Sequence, residues 1–254
     1  APRFDLTQTP VARDGMAVGG GWILRRMNGA LTCFFGATQY QGARYSERRS
    51  HGTSHGFYGL VGRHHGTSAF TMPAAADYFT RRLEPEDAGS FLAAVRASLP
   101  DLAHWMPWCK QDYSLGDAAA WISFTQTAWV SGTEFPLGIF ERGTGSVVGG
   151  TGINQINKLH AIGNVGYWVS TPHTGRGVAK LAAKQAALLG FGELGLARLE
   201  IVALTSNFAS QRVAQAIGAS YECTARNRLH FHGKPHDAAV FSLTPQDAEQ
   251  WSRQ

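Results

Sequence analysis

The hydrophobic pattern changes most sharply over residues 166–188. An apolar, aromatic run (Gly166, Tyr167, Trp168, Val169) predicts a strand, and a short loop broken by Pro172 follows, carrying Gly175 and Gly177. An Ala/Leu/Lys segment comes next. Its apolar positions Val178, Leu181, Ala182 and Leu189 share one helical face, interrupted by Gln185. Upstream, residues 78–83 predict a strand, and acids with an early proline at 84–87 mark a helix start. Phe91, Leu92, Val95 and Leu99 give residues 88–99 one buried face. Residues 102–108 are short and aromatic, broken by Pro107. A second long helix is expected over 115–130, with Ala118, Trp121, Ile122, Thr125 and Trp129 along one side. Residues 135–140 and 146–153 predict antiparallel strands around a turn at 141–145, and residues 154–164 read as a loop. Downstream come a turn over 191–197, a strand over 198–204 and a helix over 208–217 that stops at Gly218. Strands at 221–231 and 238–243, around a turn at 233–235, close the chain. The order is β-α-α-β-β-β-α-β-α-β-β, with no internal repeat.

A strand, a glycine-bearing turn and a helix start make an anion site. The first helical turn has unpaired N–H groups at the positive end of the dipole, and glycines let a phosphate approach the backbone. Arg176 and Lys180 add positive charge. The stretch Pro172–Gly177, PHTGRG, resembles the acyl-CoA pyrophosphate loop of the GNAT superfamily of N-acetyltransferases, Q/R-x-x-G-x-G/A, with Pro172 departing at the first position. Asn207 and Ser210, followed by QRVAQAIGA, are similar to the N-x-x-S…G-F segment of the RimJ/RimL-like ribosomal-protein acetyltransferase branch, with Ala219 in place of phenylalanine. The GYW and LEI strands fit the same branch, and the resemblance covers roughly residues 78–245. It implies an α+β (mixed α/β) fold with a mostly antiparallel central sheet, a splayed strand pair and flanking helices.

The resemblance also implies acetyl-CoA as cosubstrate and direct transfer to a primary amine through a ternary complex. The acceptor would be a protein N-terminal α-amine, or a small-molecule amine such as an amino acid, polyamine or antibiotic. Main-chain N–H groups of Trp168, Val169 and Ser170 would hold the thioester and pantetheine. Those of the loop and helix start (Thr174, Gly175, Arg176, Gly177, Val178, Ala179) would hold the pyrophosphate. Asn207 matches the residue that bonds the pantetheine arm, although its side chain equally suits a helix N-cap. Ser210 matches the residue that protonates the departing thiolate, and could also be an ordinary first-turn serine. A general base is less evident. Asn164 and Leu229 stand where related enzymes have carboxylates, which leaves Glu200, as base or as structural anchor. An α-amine with pKa near ~8 sheds its own proton more readily than lysine near ~10.4, which favours α-amino acceptors. The acceptor pocket is expected between the first two helices and residues 154–164 and 226–236. Trp105, Trp108 and Trp129 are candidates to line it, or core residues, and His104, His160, His230 and His232 are candidates to touch an acceptor, without metal-ligand spacing.

Charge divides the chain. Residues 1–71 carry eight arginines, no lysine and three acids, a net +5, while residues 72–254 carry fifteen cations and fifteen anions. The first segment, rich in Gly, Arg and His, reads as a disordered leader preceding a true start at Met72, or as a basic arm for RNA or ribosome contact. That second reading supplies the non-enzymatic alternative, a silent acetyltransferase fold that binds RNA. The neutral body, residues 72–254, is not expected to bind nucleic acid. No run approaches the ~20 apolar residues of a membrane span. Cys33, Cys109 and Cys223 form neither a disulfide framework nor a zinc motif, so a reduced cytoplasm is expected. A monomer or homodimer is equally compatible with the sequence.

Overall fold

The computed structural model describes residues 77–253; the leader and the start at Met72 lie outside them. Seven strands form one sheet: β1 (Tyr78–Arg81), β2 (Phe135–Glu141), β3 (Val147–Asn157), β4 (Ile162–Val169), β5 (Arg198–Leu204), β6 (Ser220–Phe231) and β7 (Lys234–Leu243). Their order is β1-β2-β3-β4-β5-β7-β6, and every pairing is antiparallel except β4 with β5. That parallel pair holds over three positions only, Ile162 with Arg198, Gly163 with Leu199 and Asn164 with Glu200. Beyond them the strands part. This is the splayed pair the resemblance implied, in a mostly antiparallel sheet with helices on both faces.

One face carries α1 (Ala88–Arg96), α2 (Leu99–Trp105) and α3 (Leu115–Ser131). Phe91 and Val95 of α1, Trp121 and Ile122 of α3, Phe140 of β2 and Trp168 of β4 close one core there. Ser114 and Asp117 cap α3 reciprocally, and Gly132 ends it in the left-handed region at φ 62°. On the other face α4 (Val178–Gly192) and α5 (Phe208–Ala216) cover a core of Ile153, Val165, Leu199, Ile201 and Phe241. The buried side of α4 is mostly alanine (Ala182, Ala183, Ala186, Ala187), so the helix lies close to the sheet. Leu181 and Leu189, expected in that stripe, are only half-buried. A short α6 (Pro245–Glu249) ends the fold.

Three expectations are corrected. Residues 154–164 are not a loop: β3 runs to Asn157 and β4 starts at Ile162. Asn164 Nδ2 donates to Asn154 Oδ1 across the two strands at 2.9 Å, and Asn157 Oδ1 accepts the His160 N–H at 3.1 Å, so the polar residues sit within the ladder and its turn. The stretch 102–108, expected to be short and broken by Pro107, is helical as far as Trp105: α2 begins at Leu99, with Pro100 in its first turn, where no N–H is needed. The turn expected over 191–197 starts later, since α4 continues through Gly190, where an added Cβ would lie 2.8 Å from Ile153 Cδ1.

Glu134, between α3 and β2, is 5% exposed, and burial pushes its carboxyl up to about 7. A carboxyl raised in the folded state lends stability below its unfolded pKa of about 4.3, and that stability is lost as pH rises through 7. The loss is on the order of 3 kcal/mol. Glu134→Gln is therefore expected to raise Tm at pH 8 and leave it nearly unchanged at pH 4. Equal shifts at both pH values in thermal melts would contradict this.

Candidate active site

The opening between β4 and β5 collects most of the residues singled out in the sequence. Ser170 N–H donates to Val148 O of β3 at 2.8 Å. Successive residues of a strand turn their main-chain groups to opposite sides. Trp168 therefore also turns toward β3, and it is Tyr167 and Val169 that turn toward the side β5 leaves vacant. Trp168 contributes packing, with its ring 5.6 Å from Phe91 and 6.1 Å from Trp108. Of the three main-chain donors expected on β4, Val169 alone faces the opening, and Tyr167 joins it.

The loop after β4 is braced at its start and open at its end. Buried Ser170 Oγ meets His173 Nδ1 at 2.9 Å, and His173 Nε2 lies 3.7 Å from Glu141. Thr171 N–H donates to Ser98 Oγ at 2.9 Å, and its hydroxyl donates to Asp101 of α2 at 2.6 Å. Both donors of Thr174 go to Thr171 O. Among the described residues the main-chain N–H groups of 175–180 have no such acceptor; bonding resumes where Leu181 N–H donates to Gly177 O at 3.0 Å. Gly175 (φ 73°) and Gly177 (φ 79°) need the left-handed region, and a Cβ on either would meet nothing within 4 Å. Val178 is buried against Tyr78, Ile139 and Val148, which anchors the helix start. Ala179 follows in the first turn. Arg176 and Lys180 are exposed, without an acidic partner among the described residues. Bare N–H groups, open glycines and two free cations suit a pyrophosphate. Pro172 costs no donor there, because it lies in the braced part, in the 3-10 turn Thr171–His173.

Across the opening, Asn207 caps α5: its Oδ1 accepts the Ser210 N–H at 3.0 Å. Its Nδ2 has no hydrogen-bond partner among the described residues and remains available to a ligand. Ser210 Oγ lies 3.2 Å from the hydroxyl of Tyr167, which also donates to Ser210 O at 2.9 Å. Burial pushes the Tyr167 phenol up to about 12, with the Ser210 contact pulling it partly back. Tyr167 escaped the sequence reading. Alternation along the GYW strand puts it opposite Trp168, but nothing in the sequence says that α5 meets that face.

Glu200 is held by cations. Arg198 Nη2 contacts it at 3.1 Å and Arg228 Nη2 at 3.8 Å. Arg198 also clasps Glu222, and with Ser242 it draws that carboxyl down to about 2. Glu200 faces Asn164 in register at the closed end of the opening. The candidate lining residues separate. Trp108 belongs to the core, Trp105 stacks edge-on with His104, and Trp129 lies under Arg82, its indole N–H bonded to Pro136 O. Among the described residues no group of three or more His, Cys, Asp or Glu could hold a metal ion, and no helix is long and apolar enough to cross a membrane.

The chain is similar to several known proteins. YdaF of Bacillus subtilis, provisionally named a ribosomal N-acetyltransferase, is 26% identical over 183 residues, spanning 71% of this chain and 98% of that protein. A Vibrio cholerae structure, provisionally a ribosomal-protein-serine acetyltransferase, is 31% identical, with 69% of this chain and all of that one covered at a TM-score of 0.60. The CoA complex of RimL, the ribosomal L7/L12 α-N-protein acetyltransferase, shares the fold at 17% identity and a TM-score of 0.60, covering 68% and 97% of the two chains. The family profile of the acetyltransferase (GNAT) domain matches residues 79–220, more than half of the chain. The chain belongs to the GNAT acetyltransferase family, and by that membership it is an acetyltransferase.

Proposed function

We propose that the protein transfers the acetyl group of acetyl-CoA to the α-amine of a polypeptide N-terminus, in the cytoplasm, within a ternary complex. The opening between β4 and β5, with unpaired loop N–H groups at one end and Ser210 at its side, is the observation that carries this reading. Acetyl-CoA supplies the activated acyl group. The N–H groups of residues 175–180 bind its pyrophosphate, the Asn207 amide its pantetheine arm, and main-chain groups of Tyr167 and Val169 orient the thioester. Donors fixed in advance on a strand stabilise charge on the reacting oxygen without reorganisation. The amine nitrogen forms the C–N bond as the C–S bond breaks. Of the two protons that the ammonium gives up, one ends on the sulfur by way of Ser210 Oγ and the other in solvent.

Two considerations favour an α-amine. Glu200, the carboxylate nearest the expected base position, is already engaged by Arg198 and Arg228, so an acceptor that loses its own proton near neutral pH suits the site. The relatives bearing names for ribosomal proteins point the same way. The test incubates the protein and acetyl-CoA with peptides beginning in serine or alanine, and with the same peptides N-terminally blocked but carrying free lysines. Mass spectrometry is expected to find acetylation at the free N-terminus alone. Modification confined to lysines, or turnover only of amino acids, polyamines or antibiotics, would overturn the assignment.

A further inference from the structure

We infer that Tyr167 is a positioning residue for acetyl transfer, bridging the opening from β4 to α5 and holding Ser210 Oγ beside the place a departing thiolate occupies. The inference rests on the acetyl-transfer reading above and assigns a part to a side chain that reading used only through its backbone. The ladder between β4 and β5 ends at Asn164 and Glu200. Three residues further along β4, Tyr167 spans the gap with its side chain instead, reaching Ser210 through two contacts. Asn207 N–H is tied to Leu204 O, and Gln211 Nε2 donates to the carbonyls of Leu204 and Thr205, so α5 moves with the end of β5. The phenol therefore fixes that end of β5, with its helix, to β4.

Proton accounting makes the contact directional. A phenol has one proton, and the carbonyl of Ser210 can only accept, so the proton lies on that 2.9 Å bond. In the 3.2 Å contact Ser210 must then donate to Tyr167 Oη. The serine hydroxyl is aimed and held by a long bond that a stronger acceptor, such as a thiolate, can displace. Tyr167 keeps its own proton throughout, consistent with a phenol shifted upward by burial.

Tyr167→Phe retains the ring and deletes one oxygen. It is expected to lower kcat about tenfold, less than the roughly 10²–10⁴-fold of losing the proton donor itself, because Ser210 is still present, while acetyl-CoA affinity measured by calorimetry changes less than about twofold, because residues 175–180 keep their geometry. The decisive readout is non-additivity. The double variant with Ser210→Ala should be slower than Ser210→Ala alone by well under tenfold, since the bond to the Ser210 carbonyl is all that the phenol still supplies there. A purely structural tyrosine would give losses that multiply, and that outcome, or an unchanged kcat in Tyr167→Phe, overturns the inference while the acetyl-transfer reading stands. A wild-type protein that turns over no amine would overturn both.

Discussion

Gly177→Ala is expected to weaken acetyl-CoA binding about 100-fold, equivalent to ~2.7 kcal/mol, while the protein stays folded. Gly177 sits at φ 79°, so any side chain adds backbone strain of about 1–2 kcal/mol. The new methyl would clash with no protein atom, because nothing lies within 4 Å of its position. It would add bulk to the loop that leads into the unpaired N–H groups at the start of α4, where a pyrophosphate needs close approach to the main chain. Gly132→Ala separates these effects. Gly132 ends α3 at φ 62°, also with nothing within 4 Å, so it carries comparable strain far from the loop. Calorimetry should find acetyl-CoA affinity retained in Gly132→Ala and lost in Gly177→Ala, with similar drops in Tm. Equal affinities in the two variants would remove the loop from cosubstrate binding.

Phe91→Ala is expected to cost about 3–5 kcal/mol of stability, which lowers Tm by roughly 10 °C in a domain of this size. Phe91 is fully buried, and its ring meets Trp168 edge-on at 5.6 Å. Trp168 lies on β4 one residue from Val169, so the cavity opens behind the strand that borders the site. Denaturant melts give the stability term, and turnover measured well below Tm gives the site term. A loss under ~1 kcal/mol would mean that the neighbouring side chains collapse into the space.

Strongly periodic stretches could be read directly. Residues 198–204 form the expected strand, and the α3 helix ends within a residue of its apolar pattern. The anion loop was legible because glycine, helix start and free N–H groups are local properties. Asn154 and Asn164 hid the β3–β4 hairpin, since polar residues paired to each other across a ladder look in sequence like a loop. The alternation of main-chain direction, which replaces Trp168 and Ser170 by Tyr167 at the opening, depends on which neighbour each strand meets. Glu200 was identified as a charged position, and Arg198 lies two residues away on the same face. Its other cation, Arg228, comes from β6 and is visible only in the tertiary structure.

The brevity of the β4–β5 pairing has a mechanical side. Strands β1 to β4 form one wing and β5, β7 and β6 another, and the ladder between them has three residue pairs, with the Tyr167–Ser210 contacts beyond it. A short seam resists bending less than a full ladder would. A molecule lying along the opening touches both wings and adds cross-links where the sheet has fewest. The free energy with which such a molecule binds then adds to the resistance of the whole sheet to unfolding, through mass action on the folded state. The stability of the fold thus becomes a function of what occupies the cleft.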